Sequence, residues 1–154
     1  MMGCEQGSKA AFSVRQAKVS DIPALMDIFK ASGVTMRRMD LGEYIRCWHG
    51  VVASEGGRIV AVALYALDGS RITVDRLMVD NASWEHGAME AVLEPITSSP
   101  FAARIVVRET HLLTQKRLSA TGWRAVGVVR EAFEGTDEDG IEFRFRREDG
   151  ISEV

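Results

Sequence analysis

The amino-acid sequence predicts an α/β fold in which a mixed, mostly antiparallel sheet of about six to seven strands has helices on both faces. Segments with alternating apolar residues, which are typical of strands, are interspersed with segments whose apolar residues recur at helical spacing. Some neighbouring strands are separated by a tight turn and others by a helix, so hairpins and β-α-β units both occur. At 154 residues the chain is long enough to bury one core.

Composition narrows the classes of function. The hydrophobic fraction of 46% and the charged fraction of 27% are those of an ordinary globular domain. No apolar run approaches the roughly 20 residues of a membrane-spanning helix, and the formal net charge is −3, so neither a membrane nor nucleic acid is expected as a partner. The two cysteines, Cys4 and Cys47, lack metal-ligand spacing, which predicts no metal site and a cytoplasmic protein with reduced thiols.

A single domain is expected over residues 11–148, between a disordered tail at 1–10 and a short tail at 149–154. The predicted strands cover residues 11–15, 51–54, 59–67, 71–79, 104–108, 124–133 and 141–147. The predicted helices cover residues 20–33, 40–50 and 110–121, and a further helix begins at 83 and has Ile96 on its apolar face.

Local signals set several of these boundaries. The Ser20 hydroxyl can cap the first helix, and Gly50 and Gly122 can end the second and the fourth. The adjacent glycines Gly56 and Gly57 permit the positive φ angles of a tight hairpin turn. Pro95 is expected to kink or end the third helix, since proline lacks the N–H that the helix needs.

Three short motifs stand at fixed places in this order of elements. Val14-Arg15-Gln16-Ala17 leads into Ser20–Leu25, Leu77-Met78-Val79-Asp80 ends a central strand, and Gly122-Trp123 closes the last helix. These motifs, and the element order from Phe12 to about Arg147, resemble the GNAT superfamily of acyl-CoA-dependent N-acetyltransferases, whose late helix typically ends in Gly-Phe. The resemblance implies the GNAT fold and transfer of an acetyl group from acetyl-CoA to an amine.

In that family a loop of the form Arg/Gln-x-x-Gly-x-Gly/Ala opens a helix, and its exposed N–H groups hold the pyrophosphate of coenzyme A. The aligned residues here are Trp84-Glu85-His86-Gly87-Ala88-Met89, of which only Gly87 matches. Trp84 replaces the basic or amide residue, Glu85 adds a negative charge, and the bulk of Met89 could obstruct the phosphates. The resemblance implies acetyl-CoA binding through Trp84, Gly87, Ala88 and Met89; the alternative is an ordinary capped helix with Met89 in the core.

The resemblance also implies that the thioester arm contacts the main chain of Leu77 and Val79, where the central strand separates from the next one. Acetyl transfer needs a base for the ammonium proton and can use an acid for the departing thiolate. The family's tyrosine acid aligns with Leu118, which cannot donate a proton, and a frequent asparagine aligns with His111. Asp75 and Glu109 are the best-placed bases, ahead of His86, which belongs to the phosphate loop. The alternative for Asp75 and Glu109 is a solvated charge at the end of a strand.

Negative charge is concentrated in the last hairpin, where it could attract a cationic acceptor such as a small-molecule or peptide amine. The alternative is a soluble loop, and a homodimer is possible. The acidic residues are Glu131, Glu134, Asp137, Glu138, Asp139 and Glu142. The three tryptophans, Trp48, Trp84 and Trp123, are predicted to be core or interface residues.

Two other interpretations are alternatives to the acetyltransferase prediction. A degenerate GNAT-like domain would have lost catalysis and would serve binding, regulation or assembly. An unrelated small α/β protein would show a different strand order.

Overall fold

The structure is a computed structural model that describes residues 12–31, 38–47, 49–80, 87–133 and 135–146. Within these ranges the strands are β1 (Phe12–Gln16), β2 (His49–Glu55), β3 (Arg58–Asp68), β4 (Arg71–Val79), β5 (Ala102–Arg108), β6 (Arg124–Val129) and β7 (Gly140–Phe145). The helices are α1 (Ile22–Ala31), α2 (Arg38–Cys47), α3 (Ala88–Thr97) and α4 (Leu112–Ala120), and a 3-10 turn at Val19–Asp21 precedes α1. The predicted order of strands and helices is confirmed.

The seven strands form one sheet in the order β1-β2-β3-β4-β5-β7-β6. The pairs β1–β2, β2–β3, β5–β7 and β6–β7 are antiparallel. β4 and β5 are parallel, and their ladder joins Arg71–Val74 to Ala102–Ile105. A mixed, mostly antiparallel sheet is therefore confirmed.

The chain divides into two compact units, and the first contains the residues up to Ala66 together with Arg76–Pro95. Its α1 buries Ile22, Leu25, Ile28 and Phe29, which is the apolar face expected of an amphipathic helix. These side chains form one cluster with Leu41 of α2 and with Val52, Val62 and Leu64 of the sheet. Ile45 and Met78, both partly buried, pack against that cluster.

Two turns in this unit follow from local chemistry. Glu55 pairs with Arg58 across Gly56 and Gly57, whose φ angles of +61° and +85° confirm the predicted glycine turn. At the entry to α1 the carboxylate of Asp21 accepts the Lys18 N–H at 2.8 Å. The helix entry is therefore held by Asp21, one residue beyond the Ser20 that the sequence suggested.

The second unit contains Leu67–Asp75 and the residues from Ile96 onward. Its helix α4 buries Thr114 and Leu118 and ends where the Trp123 N–H donates to the Leu118 carbonyl at 3.0 Å. Gly122 has a φ of +104°, which a side chain would strain, so the predicted glycine stop is confirmed. Trp123 is 2% exposed and its ring centre lies 5.4 Å from that of Phe145, which confirms a core role.

Two predicted boundaries were wrong, and one of two alternatives at Pro95 was wrong. Gly50 lies in β2 opposite Leu64 instead of ending α2, and a Cβ there would come within 3.1 Å of Ala17 Cβ and Leu64 Cδ2. The absence of a side chain at Gly50 therefore lets β2 pack closely against Ala17 and Leu64. Of the two effects expected of Pro95, a kink or an end of the helix, the second is wrong. The helix α3 continues to Thr97, because a proline in the last turn removes only one late hydrogen bond.

β6 ends at Val129 and does not extend to Phe133 as predicted. Glu131 has a φ of +49°, and the Ala132 N–H donates to the Glu138 carbonyl at 3.1 Å, so the chain has already turned.

Several predictions lie outside the described residues. These are the two tails, Trp48, the stretch Trp84–His86, and Glu134 of the acidic cluster. In the part of the chain that the structure describes, no helix is long and apolar enough to cross a membrane.

Candidate functional site

The central strand β4 carries charged side chains where an apolar pattern would be expected. Its ladder with β5 ends at Val74, and the strand continues from Asp75 to Val79. Asp75 and Arg76 are both partly buried. Oδ2 of Asp75 and Nε of Arg76 are inaccessible to solvent, and neither has a hydrogen-bond partner among the described residues. Because buried polar groups are normally satisfied, each of these two atoms lacks a hydrogen bond that a ligand or a water molecule could supply.

The two predicted main-chain contacts of acetyl-CoA lie on the same stretch of β4. Val79 is 3% exposed and Leu77 is partly buried, so both side chains pack inside the protein. The last ladder pair with β5 is Val74 with Ile105, so the main chain of Leu77 and Val79 lies beyond that ladder. Main-chain N–H and C=O groups without a ladder partner can bind a ligand while their side chains remain in the core.

Among the described residues at the start of α3, Gly87 is the one that permits close approach. Gly87 has a φ of +89°, and its carbonyl accepts the Ala91 N–H at 2.9 Å, as the residue before a helix does. A Cβ at this position would meet only Glu90 Oε1, at 3.9 Å, among the atoms within 4 Å. The position is therefore open, and a carboxylate stands close to the positive end of the helix.

Ala88 and Met89 are each 0% exposed, main chain included. The Met89 side chain therefore lies in the core instead of obstructing a phosphate from outside. A phosphate would reach these two amides only after the atoms that cover them moved. Of the described residues that the resemblance assigns to acetyl-CoA at this helix start, Gly87 is partly exposed, whereas Ala88 and Met89 are buried.

Glu109 and His111 share the turn between β5 and α4, and both are exposed. His111 directly precedes α4, and its side chain forms no capping hydrogen bond there. Nε2 of Gln115 donates to the carbonyls of Arg108 and Glu109, each at 3.0 Å, which fixes the path of the turn. Of these two candidate bases, Asp75 is partly buried and Glu109 is exposed.

The loop between β6 and β7 is hydrogen-bonded to the turn between β5 and α4. The Glu138 carboxylate accepts hydrogen bonds from the Thr110 hydroxyl and, at 2.8 Å, from Arg108 Nη1. These bonds lower the pKa of Glu138, with that from Thr110 acting most strongly. The Glu109 N–H also donates to the Asp139 carbonyl at 3.1 Å.

Three of the six predicted acidic residues therefore accept hydrogen bonds from other residues of this chain: Glu138, Asp139 and Glu142. Besides Glu138, the Asp139 carboxylate accepts the Glu131 N–H at 2.8 Å. Glu142 accepts hydrogen bonds from Arg104 at 3.1 Å and Arg144 at 2.8 Å, and that from Arg104 is the main cause of its lowered pKa. Glu131 and Asp137 remain exposed, so less negative charge faces solvent than the sequence suggests.

Leu118, which stands in place of the family's tyrosine acid, is 0% exposed and belongs to the core. Sequence reasoning passed over Tyr65, a partly buried phenol on β3 whose pKa is raised by burial. Its ring stacks on that of His49, with the ring centres 5.3 Å apart. Arg76 was also passed over, although two consecutive charges in a buried strand were a visible signal.

No family model and no curated protein matches this sequence. Solved structures do resemble it. Ard1 from Thermoplasma volcanium superposes with a TM-score of 0.78 at 14% identity, over 89% of this chain and 99% of that one. The ribosomal-protein-S18-alanine N-acetyltransferase of Escherichia coli gives 0.76 at 16% identity, over 87% and 92%. A GNAT-family acetyltransferase of Bacillus cereus ATCC 10987 gives 0.75 at 20% identity, over 88% and 97%.

This chain has the GNAT fold. The different strand order that an unrelated small α/β protein would show is therefore not found among the described strands. Because the identities are low, the likeness concerns the backbone, and function has to be argued from the side chains of this GNAT-fold chain.

Proposed function

We propose that this GNAT-fold protein is a cytoplasmic N-acyltransferase that moves an acetyl group from acetyl-CoA to an amine. The solved structures with the same fold include N-acetyltransferases, which supports the reaction class. The observation that carries the proposal is the unpartnered, solvent-inaccessible carboxylate oxygen of Asp75. An acceptor ammonium group would give that oxygen the hydrogen bond it lacks.

In the proposed complex the thioester arm of acetyl-CoA contacts the main chain of Leu77 and Val79. The pyrophosphate lies at the start of α3, where Gly87 allows close approach. The Glu90 carboxylate would repel the pyrophosphate, and the burial of Ala88 and Met89 limits the number of available main-chain amides. We therefore expect acetyl-CoA to bind no more tightly than the micromolar range, about 8 kcal/mol at 1 μM.

Asp75 is the proposed base. Its carboxylate accepts a proton from the acceptor ammonium, and the free amine attacks the carbonyl carbon of the thioester. A C–N bond forms, the C–S bond breaks, and coenzyme A leaves as a thiolate. The nitrogen loses its second proton to water, and water protonates the thiolate, since Leu118 has no proton to donate.

The second candidate is a GNAT-fold module without catalysis. The burial of Ala88 and Met89 and the absence of an acid at Leu118 favour it. Acetyl-CoA binding discriminates between the two functions, because turnover requires it and a scaffold does not.

The test of the first candidate is the variant Asp75→Asn, which preserves shape and removes the basic oxygen. We expect kcat for acetylation of an amine panel to fall about 10²- to 10⁴-fold, the usual contribution of a general base. The dissociation constant of acetyl-CoA, measured by calorimetry, should not change.

The matched control is Asp137→Asn, which removes an exposed carboxylate from the β6–β7 loop. It should leave kcat and acetyl-CoA binding at the wild-type values. If Asp75→Asn retained full activity while Glu109→Gln lost it, the base would be Glu109 and the assignment to Asp75 would be wrong.

A further inference from the structure

Three arginines lie side by side across the outer strands of the second compact unit. Arg144 of β7 is directly opposite Arg104 of β5 in one ladder and directly opposite Arg124 of β6 in the other. Residues that are directly opposite project from the same face of a sheet, with their Cβ atoms about 4.5–5.5 Å apart. Arg104, Arg144 and Arg124 therefore form one line of guanidinium groups, which we call the arginine row.

The arginine row faces solvent and not the core. Ile105 and Phe143, which follow Arg104 and precede Arg144 in the sequence, are buried and project from the opposite face of the sheet. The side chain of Arg104 is 29% exposed and that of Arg144 is 44% exposed, and Arg124 is exposed as well. A ligand can therefore approach all three arginines from solvent.

The Glu142 carboxylate lies between two arginines of the row. Its Oε2 accepts a hydrogen bond from Nε of Arg104 at 3.1 Å and another from Nε of Arg144 at 2.8 Å. None of the described residues forms an ion pair or a hydrogen bond with the Arg124 side chain. Like charges that are directly opposite destabilise a sheet, so the pairing of Arg124 with Arg144 does not serve the fold. The arginine row is instead suited to negative charge supplied from outside.

We propose that the arginine row binds an extended acidic segment of a partner protein. Neighbouring strands are about 4.8 Å apart, so the row extends over roughly 10 Å from β5 to β6, more than one carboxylate can cover. In an extended chain, acidic residues at alternate positions project from one face and recur about every 6.8 Å. Two or three such residues can contact the row together, and each guanidinium can hold a carboxylate through two parallel hydrogen bonds.

Charge favours an acidic peptide over the other anionic occupants. The chain has a formal net charge of −3 and would repel a long polyanion such as nucleic acid, whose binding draws on many basic residues. A second copy of the chain offers the exposed Glu131 and Asp137, but these lie in a loop where Glu131 has a positive φ, and not at alternate positions of an extended segment. The inference goes beyond the proposed acetyl transfer and does not depend on it.

The probe is a fluorescein-labelled peptide with glutamate at every second position, and its binding to the full chain is followed by fluorescence anisotropy at low ionic strength. We expect saturable binding that added salt weakens, since exposed charge pairs are screened. The matched peptide with glutamine in place of glutamate should bind at least about tenfold more weakly. Equal binding of the two peptides, or no binding of the acidic one, would overturn the proposal.

Substitutions at Arg124 test the site itself. Arg124→Gln should weaken binding of the glutamate peptide about three- to tenfold, between the contribution of an exposed ion pair and that of a charged hydrogen bond. Arg124→Glu reverses the charge and should weaken binding further. The matched control is Arg130→Gln, which removes an exposed arginine just beyond the other end of β6 and should bind as the wild type does. Equal losses in Arg124→Gln and Arg130→Gln would show that only net charge matters and would contradict a site at the row.

Thermal unfolding distinguishes a binding role from a structural one. Arg124→Glu places an opposite charge across from Arg144, so its melting temperature should equal or exceed that of the wild type. A large drop in both Arg124→Glu and Arg124→Gln would show that Arg124 supports the fold and would overturn the proposal.

Two further measurements check the identity of the occupant. An oligonucleotide with as many negative charges as the acidic peptide should bind more weakly than the peptide, and tighter binding would overturn the proposal. Sedimentation of the chain alone should show no self-association that Arg124→Gln abolishes. Such self-association would make the row an interface between copies of the chain and would rule out the proposed partner.

Discussion

Gly140, at the start of β7, is restricted to glycine by its surroundings. An added Cβ would clash with Val106 Cγ1, and it would lie 3.1 Å from Ala132 Cβ and 3.2 Å from Phe133 Cε2. Phe133 is itself held in place, because the Arg108 guanidinium lies 4.4 Å from the centre of its ring. The first residue of β7 thus determines how closely the preceding loop packs on β5.

We expect Gly140→Ala to destabilise the protein by about 1–3 kcal/mol, the usual penalty for adding a carbon to a filled site. The measurement is the free energy of unfolding from a urea titration. The control is Gly127→Ala on β6, where an added Cβ has no atom within 4 Å. That variant should be neutral or stabilised by up to about 1 kcal/mol, because alanine restricts the unfolded chain. Equal effects of the two substitutions would show that the contacts around Gly140 do not determine its stability.

How far single residues could be predicted depends on whether their role is local. Gly87 and Gly122 follow from motifs a few residues long, and both have positive φ angles. The core position of Met89 was one of two alternatives, since periodicity and the family motif gave opposite answers. Asp75 Oδ2 and Arg76 Nε have no hydrogen-bond partner among the described residues. This could not be predicted, because it depends on which carboxylates and donors the fold brings near them.

Among the elements, the connection between β1 and α1 depends on one ion pair. Arg15 Nη1 and Nη2 donate to the two carboxylate oxygens of Asp21, each at 2.9 Å. The Asp21 side chain is 8% exposed and that of Arg15 is 41% exposed. The hydrogen bonds from Arg15 lower the pKa of Asp21, although burial acts in the opposite direction.

We expect Asp21→Asn to destabilise the protein by roughly 1–2 kcal/mol at pH 7, a value reduced by the exposure of Arg15. Because the pKa of Asp21 is lower in the folded than in the unfolded state, its contribution is complete above the unfolded value of about 3.9. It is lost as the pH falls through the lower, folded value. The difference in unfolding free energy between wild type and variant should therefore shrink below about pH 4.

The matched control for this pH series is Glu43→Gln in α2, which breaks the exposed pair of Glu43 with Arg46 at 3.0 Å. An exposed pair contributes little, so the change should stay below about 0.5 kcal/mol at neutral pH. A constant difference between wild type and Asp21→Asn from pH 7 to pH 3 would contradict an ionic role for Asp21.

The order of elements was predictable because periodicity and turn residues are local signals. The ends of the elements were less predictable, and Gly50 shows why. A glycine after a helical pattern is normally read as a stop, but here the missing Cβ serves the packing of β2 on Ala17 and Leu64. Likewise the apolar pattern continues from Val129 to Phe133, while the positive φ of Glu131 turns the chain. Contacts between distant segments decide such cases.

For the molecule as a whole, the fold was predictable from the order of elements, whereas the function still depends on whether acetyl-CoA binds. A ligand that binds only the folded state raises stability by about 2.7 kcal/mol at a concentration of 100 Kd. For a chain of this size each kcal/mol corresponds to about 2–4 °C, so saturating acetyl-CoA should raise the melting temperature by about 5–10 °C. The measurement is thermal unfolding with and without the ligand.

A comparison with acetyl-pantetheine, which has the thioester arm without the diphosphate, shows which part of acetyl-CoA contributes the binding free energy. If the start of α3 binds the pyrophosphate, acetyl-CoA should stabilise the protein more than acetyl-pantetheine at equal concentration. Equal stabilisation would place all of the affinity on the main chain of β4 and remove Gly87 from the site. No stabilisation by either compound would mean that Ala88 and Met89 stay covered, and the protein would then be a GNAT-fold module without acetyl transfer.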